Sequence, residues 1–185
     1  MTLDRASADL VAALDAALGQ PSQGLPEALF LLVSRLTPMV NVDLLIRNDA
    51  GQTLLTWRHD EFYGPGWHVP GGIVRFKEHF ATRIAEVARI ELGCAVSFTQ
   101  PPLALNEIMA TDRDVRGHFV SLLFECRLTT PPDPALNFRG EVPISGQWQW
   151  HDRCPDNLIR QHEIYRPYIG ANQERQAAAG GRTNT

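Results

Sequence analysis

The 185-residue sequence is poor in cysteine and in net positive charge. Its three cysteines, Cys94, Cys126 and Cys154, are odd in number and widely spaced, which excludes a disulfide framework and a CxxC metal knuckle. Lys and Arg number 17 against 21 Asp and Glu, giving a formal net charge of -4. This balance argues against bulk electrostatic binding of nucleic acid. A small anionic ligand stays compatible with it, because a few local cations or one metal ion can hold such a ligand.

Long hydrophobic runs are also missing. No stretch is apolar enough, over a sufficient length, to cross a bilayer. Acidic residues interrupt the apolar positions of residues 1–20, unlike the apolar centre of a signal peptide. With 44% hydrophobic and 21% charged residues, the composition is that of an ordinary globular domain. We therefore expect a cytoplasmic protein with no nucleic-acid or membrane partner.

Apolar periodicity predicts an irregular alternation of helices and strands. A β-hairpin is expected from strands at 39–47 and 52–57, because the residues between them have turn chemistry. A helix is expected over 78–92, since its apolar residues share one face and Gly93 suits its C-terminus. The other predicted elements are helices at 4–19, 25–36 and 155–169 and strands at 95–98, 103–109, 118–128 and 147–150.

This order of elements divides the chain into three parts. Residues 1–37 form an N-terminal helical extension that we expect to pack on the domain. Residues 38–170 form the domain itself, an α/β or α+β sandwich built on a mixed sheet. Residues 171–185 are rich in Ala, Gly, Gln and Thr, which predicts a disordered tail.

The segment from Gly71 to Gly93 contains parts that suit chemistry at a diphosphate. The glycine turn at Gly71 and Gly72 lets the backbone come close to a ligand or ion. The helix that starts shortly after it offers free N–H groups to phosphate. Glu91, on the same helix, could coordinate a hard cation. Such a cation would neutralise charge on the leaving group during cleavage.

The spacing of Gly71-Gly72, Glu78 and Glu91-Leu92-Gly93 resembles the Nudix box, G-x5-E-x7-R-E-U-x-E-E-x-G-U, where U is a bulky apolar residue. The residues before the turn, Trp67-His68-Val69-Pro70, resemble its usual lead-in. The resemblance covers roughly residues 40–150. It implies an α/β fold, the Nudix α/β/α sandwich with a mixed β-sheet, to which the N-terminal helical extension is added. It also implies a hydrolase that needs Mg2+ or Mn2+ and acts on a nucleoside diphosphate derivative.

The box is reduced in this chain. Glu86 stands at the Arg position, and Val87 and Ile90 stand where two metal-binding glutamates are usual. A reduced box of this kind resembles that of the GDP-mannose mannosyl hydrolases, which cleave the sugar–oxygen bond so that GDP leaves. The resemblance implies that Glu91 and the carbonyl of Gly71 are metal ligands. It further implies a nucleotide sugar as substrate and a homodimer as the assembly.

Other candidate site residues follow from the same resemblance. Asp43 stands at a functionally important position of that branch, Arg58 near its substrate, and His118-Phe119 where it has His-Tyr. The late loop lacks the branch's histidine, and Glu141 is the titratable residue there that could act as general base or metal ligand. Arg75, which the resemblance does not match, could reach phosphate or lie in water. The candidates are catalytic residues Asp43, Glu141 and His118, substrate-binding residues Arg58, Phe119 and Arg75, and metal ligands Gly71, Glu91 and Glu141.

Several interpretations stay open at this point. Glu78 is expected to pair with Arg83 or Arg89 and to fix the loop, and His68 and His162 are expected to pack in the fold. A nucleoside diphosphate-X pyrophosphatase would give GMP and sugar phosphate where a mannosyl hydrolase gives GDP and sugar. A non-catalytic Nudix-fold module would bind the nucleotide without turnover.

Overall fold

The computed structural model describes residues 4–170, and the elements follow the order that the sequence predicts. The three α-helices are α1 (Arg5–Leu18), α2 (Glu27–Leu36) and α3 (Phe80–Leu92). The strands are β1 (Met39–Ile46), β2 (Thr53–Arg58), β3 (Gly66–His68), β4 (Gly71–Ile73), β5 (Val96–Phe98), β6 (Ala104–Met109), β7 (His118–Leu128) and β8 (Trp148–His151). Short 3₁₀ helices lie at Pro21–Gln23, Pro134–Leu136 and Arg160–Tyr168.

Within residues 4–170 the strands form two sheets, and the hairpin predicted from β1 and β2 is wrong, because these two strands lie in different sheets and are joined only by the isolated bridge Arg47–Thr53. In the larger sheet the order is β4-β1-β7-β5, and β6 also pairs with β7. Strands β1 and β7 run parallel whereas the other pairs of this sheet are antiparallel, so the sheet is mixed. The smaller sheet has the antiparallel order β3-β2-β8. The expected α/β class with a mixed sheet is therefore confirmed.

Strand β1 is buried on both faces and separates two hydrophobic clusters. Val42, Leu44 and Ile46 pack with the apolar face of α3. Leu45 points to the opposite face, where it packs with residues of the smaller sheet. Because side chains alternate along a strand, Asp43 shares the face of Leu45 and looks toward the space between the sheets. A carboxylate is thus built into the middle of a core strand.

The two ends of the chain differ from the sequence prediction in detail. Helix α1 has no buried residue and exposes Leu10, Val11 and Leu14, whereas α2 buries Ser34. The C-terminal helix predicted over about 155–169 is present as a shorter 3₁₀ helix, Arg160–Tyr168. The segment is a 3₁₀ helix that contains Pro167, which lacks an N–H and disfavours α-helical backbone before it.

The predicted tail, 171–185, lies outside the described residues. Within 4–170, each helix is too short or too polar to span a membrane.

Candidate active site

The glycine turn is locked between β1 and α3. A Cβ on Gly71 would overlap Oδ1 of Asp43, and a Cβ on Gly72 would lie 2.7 Å from Cγ2 of Val87. Both positions therefore exclude side chains, and Val87 has a packing role where a full box has a carboxylate. The close approach fixes the backbone of the turn against the two elements that carry the candidate carboxylates.

Glu91 lies directly beside this turn. Its Oε1 accepts a hydrogen bond from the N–H of Gly71 (3.3 Å), and its Oε2 accepts one from the hydroxyl of Thr56 (3.4 Å). Burial raises the pKa of Glu91 to about 7. At physiological pH this buried carboxylate is therefore partly protonated. A cation bound beside it would favour the ionised form.

The register of β4 turns the carbonyl of Gly71 to the same side. The N–H of Leu44 donates to the carbonyl of Pro70 (2.8 Å), and the N–H of Val74 donates to that of Val40 (2.9 Å). Gly71 lies between these ladder positions, opposite Asp43. Its N–H and carbonyl therefore face away from β1, toward the side where Glu91 lies.

A divalent cation at this place would have few protein ligands. Among residues 4–170, no three His, Cys, Asp or Glu side chains are grouped as a metal site. Ile90 is exposed and Val87 is packed on Gly72, so Glu91 and the carbonyl of Gly71 are the available pair. This pair fits Mg2+, which keeps several waters and is commonly held by one or two carboxylates together with substrate phosphates.

The glycine turn and Glu91 open onto a cavity of about 700 Å3 between the sheets. That volume lies within the range of small-molecule sites. The structure brings five of the predicted site residues to its wall: Asp43, Arg58, Gly71, Glu91 and Phe119.

Asp43 is the most enclosed of these residues, with 1% of its surface exposed. Its Oδ2 accepts hydrogen bonds from the hydroxyls of Ser121 and Tyr165, and its Oδ1 accepts one from the side-chain amide of Asn41 (2.9 Å). Burial raises the pKa of Asp43, although these three donors oppose the shift. The carboxylate is therefore held in one orientation beside Gly71.

Arg58 contributes a cation to the cavity wall. Its guanidinium carbon lies 4.2 Å from the centre of the Tyr63 ring, and its Nε donates to Asp60. The planar group is thus fixed by one aromatic face and one carboxylate, and it retains further N–H donors for a ligand.

The other three predicted residues are not brought to the cavity wall. His118 is at the start of β7, where its Nε2 lies 3.0 Å from Glu107 Oε1. Arg75 is exposed and its backbone N–H donates to Glu78. Glu141 is exposed in the late loop. The contacts that tie this loop to β2 and its flank come from Ser145 and Gly146, whose atoms line the cavity instead.

The structural role expected for Glu78 is present. Its two oxygens accept from Nε and Nη2 of Arg83 at 2.9 and 2.8 Å, while Arg89 pairs with Glu86. Burial raises the pKa of Glu78, but the hydrogen bonds from Arg83 and from the Arg75 N–H outweigh it, so the net shift is downward. This bidentate ion pair fixes the loop that leads into α3.

Two histidines that were expected to pack in the fold, His68 and His162, line the cavity instead. Nδ1 of His68 lies 2.8 Å from the carbonyl of Thr56, so it carries the proton and leaves Nε2 as an acceptor near Glu91. His162 accepts from the N–H of Val69 through Nδ1 (3.1 Å), so its Nε2 is a donor. Burial lowers the pKa of each to about 3, and both rings are neutral at physiological pH.

One of these histidines had a weak signal in the sequence. His68 lies within the lead-in to the glycine turn, in a strand whose alternation could have placed it beside the box. His162 comes from the 3₁₀ segment beyond the region of resemblance, and nothing in its spacing pointed to the cavity.

Comparison with known proteins supports the architecture. No protein-family model matches the chain. The chain is 32% identical over 113 residues to the low-salt glycan biosynthesis protein Agl8 of Haloferax volcanii, covering 59% of this chain and 71% of that protein.

Three solved structures illustrate the likeness in fold. A MutT Nudix hydrolase from Burkholderia pseudomallei has a TM-score of 0.53 at 23% identity, over 69% of this chain and 95% of that one. A MutT protein from Methanosarcina mazei has a TM-score of 0.54 at 17% identity, over 79% and 98%. A UDP-X diphosphatase has a TM-score of 0.51 at 19% identity, over 98% and 87%. At these identities the likeness shows that the chain has the Nudix fold.

Proposed function

The chain belongs to the same family as the Haloferax volcanii low-salt glycan biosynthesis protein Agl8, and from this membership and the Nudix fold we propose that it is a metal-dependent hydrolase. Its substrate is a nucleoside diphosphate-linked compound, best represented by a nucleotide sugar such as GDP-mannose. The observation that carries the proposal is the position of Glu91, hydrogen-bonded to Gly71 at the wall of a cavity that also contains Arg58.

The substrate class follows from the two kinds of charge in the cavity. A diphosphate in this cavity would meet both the guanidinium of Arg58 and the glycine turn with Glu91. The Haloferax relative is a low-salt glycan biosynthesis protein, which favours a sugar on the far side of the diphosphate. Phe119 and Tyr63 offer apolar surface to a base or a sugar ring.

In the proposed reaction, water attacks the anomeric carbon, the bond between that carbon and the β-phosphate oxygen breaks, and the oxygen keeps the electron pair as GDP leaves. A bound Mg2+ or Mn2+ would neutralise the charge that develops on this leaving group. Glu91 and the Gly71 carbonyl would hold the ion. Arg58 binds phosphate, and Asp43, fixed by its three donors, positions water or sugar.

A screen of nucleotide sugars with and without Mg2+ tests this function, with product identification in water labelled with oxygen-18. Release of GDP and of sugar that carries the label supports the proposed reaction. Release of GMP and sugar phosphate selects the pyrophosphatase instead. In that case the label appears on a phosphate, because water has attacked phosphorus.

One observation favours a second candidate, a nucleotide-binding module without turnover. The two box positions that lack carboxylates, Val87 and Ile90, leave Glu91 as the one acidic side chain of the box helix at the turn. Nucleotide binding by calorimetry without magnesium-dependent turnover of any sugar nucleotide would select this module. The expected homodimer is a further proposal, which light scattering of the full chain would test.

A further inference from the structure

We propose that Arg116 forms a second phosphate-binding site in the cavity, next to Arg58, and that helix α2 of the N-terminal extension holds it there. The inference rests on the proposed function for the identity of the anion, because it places the substrate's diphosphate in this cavity. The resemblance to the Nudix box assigns no role to Arg116 or to α2.

Arg116 lies in a group of three arginines around one aromatic residue. Its guanidinium carbon is 5.3 Å from the centre of the Tyr63 ring, that of Arg58 is at 4.2 Å, and that of Arg113 is at 4.7 Å. Arg58 and Arg116 both line the cavity. The rings of Phe62 and Phe30 also contact Arg116, at 4.9 and 5.4 Å. Aromatic faces orient a guanidinium but leave its in-plane donors free.

Arg58 donates through Nε to Asp60, and Arg113 donates through Nη1 to the carbonyl of Phe62 (3.1 Å), whereas the side chain of Arg116 makes no hydrogen bond within residues 4–170. Asp60 pairs with Arg58, but no described carboxylate pairs with Arg116 or Arg113. The Nε of Arg116 and the Nε and Nη2 of Arg113 are buried without a hydrogen-bond partner. Burying a cation without a counter-charge is costly, and clustering three cations adds repulsion. An anion in the cavity would relieve both costs, and phosphate matches the fork of a guanidinium.

The backbone at Arg116 is held in an unusual conformation by α2. Its φ of 51° lies in the left-handed region, which an arginine seldom adopts. The N–H of Arg116 donates to the hydroxyl of Ser34 (3.0 Å), and that hydroxyl donates to the carbonyl of Leu31 (2.8 Å). Ser34 is the buried residue of α2. With both of its hydrogen bonds made, Ser34 fixes the turn that directs Arg116 to the cavity.

Inorganic pyrophosphate is the probe, titrated by calorimetry at low salt in metal-free buffer, so that neither hydrolysis nor a cation contributes. Arg116→Gln should weaken its binding roughly tenfold or more, since a charge-assisted contact is lost. Arg127→Gln is the matched control, because Arg127 is an exposed arginine paired with Asp49 on the surface. Equal affinity in Arg116→Gln and the wild type, or no binding by the wild type, would overturn the inference.

The contribution of α2 has its own pair of variants. Ser34→Ala should weaken pyrophosphate binding a few-fold, and Ser34→Thr, which keeps a hydroxyl, should restore it. Thermal unfolding of each variant separates a local effect from a loss of fold. Wild-type affinity in a folded Ser34→Ala variant would remove α2 from the proposal.

The two proposals can fail separately. If the chain hydrolyses no nucleotide sugar but Arg116→Gln still loses pyrophosphate affinity, the anion site stands and the hydrolase is rejected. If turnover is magnesium-dependent and Arg116→Gln changes neither pyrophosphate affinity nor KM, the hydrolase stands and the anion site is rejected.

Discussion

The cavity has an acidic wall, formed by Asp43, Gly71 and Glu91, and a cationic wall, formed by Arg58, Tyr63 and Arg116. The acidic wall is made from regular strands and the box helix, and its carboxylates are held by hydrogen bonds from hydroxyls and amides. The cationic wall is made from the end of β2, from loops and from contacts with α2, and its guanidiniums lie on aromatic rings.

The walls differ in how their charged groups are compensated, because Asp60 pairs with Arg58 in the cationic wall, whereas neutral hydrogen-bond donors hold the two carboxylates of the acidic wall. Burial raises the pKa of both Asp43 and Glu91, whereas Arg116 has no carboxylate partner within residues 4–170. In a complex of a metal cation with a diphosphate, the cation would compensate the acidic wall and the diphosphate would compensate the cationic wall. The unsatisfied charges therefore favour a metal–diphosphate complex over a neutral ligand.

Removing the acid from the acidic wall should have the largest effect. Glu91→Gln keeps the size of the side chain but removes the negative charge proposed to hold the metal, so turnover should fall about 100- to 1,000-fold. The measurement is kcat at saturating Mg2+, together with Mn2+ binding followed by electron paramagnetic resonance. Full Mn2+ affinity and activity in this variant would show that the acidic wall has no role in metal binding.

Glu78, a carboxylate of the box that lies outside the cavity, should contribute to the stability of the fold. Glu78→Gln breaks the buried bidentate pair with Arg83 and should reduce the free energy of unfolding by about 3 kcal/mol. Because the pKa of Glu78 is lowered in the fold, its stabilisation is present at neutral pH and is lost as the pH falls through that lowered value. Urea unfolding at several pH values checks this, and Glu86→Gln, from an exposed pair, is the control.

The raised pKa of Glu91 also predicts that the stability of the metal-free protein depends on pH. The pKa of Glu91 rises from an ordinary 4.5 to about 7 in the fold, so the metal-free wild type loses stability as the pH rises between these values. Glu91→Gln cannot ionise and should be more stable than the wild type by about 1–2 kcal/mol at pH 8, and no more stable below pH 4.5. Thermal unfolding in a chelator measures the difference, and a gain that is equal at every pH would contradict the assignment.

The two walls also differ in how far the sequence predicted them. The resemblance to the Nudix box and to its reduced branch predicted Asp43, Gly71 and Glu91 as site residues, and the regular elements that carry them bring these three positions together. Glu78 was expected to pair with Arg83 or Arg89, and it pairs with Arg83, which lies in the first turn of α3 only five residues after Glu78.

Arg58 of the cationic wall was predicted from the resemblance, but Arg116 and the two histidines depend on tertiary contacts that no local pattern contains. Arg116 is directed by a serine 82 positions earlier in the chain, and His162 reaches Val69 across 93 positions. Arg75 was assigned to phosphate from its place near the box, but the loop exposes it. Loop direction is set by such distant contacts, so a sequence pattern specifies it poorly.

The smallest effect is expected for a candidate that lies on neither wall. Glu141 is exposed in the late loop, while the hydrogen bonds from His59 to Ser145 and from Gly146 to Trp57 hold the cavity-facing part of that loop in place. Glu141→Gln should therefore change kcat and KM less than about twofold, since an exposed charge outside the cavity is well screened. Steady-state kinetics across pH 5 to 9, with His118→Gln as a second variant outside the wall, measures this. A tenfold loss of kcat in Glu141→Gln would mean that the late loop moves to bring this carboxylate to the metal, and the acidic wall would then have a third member.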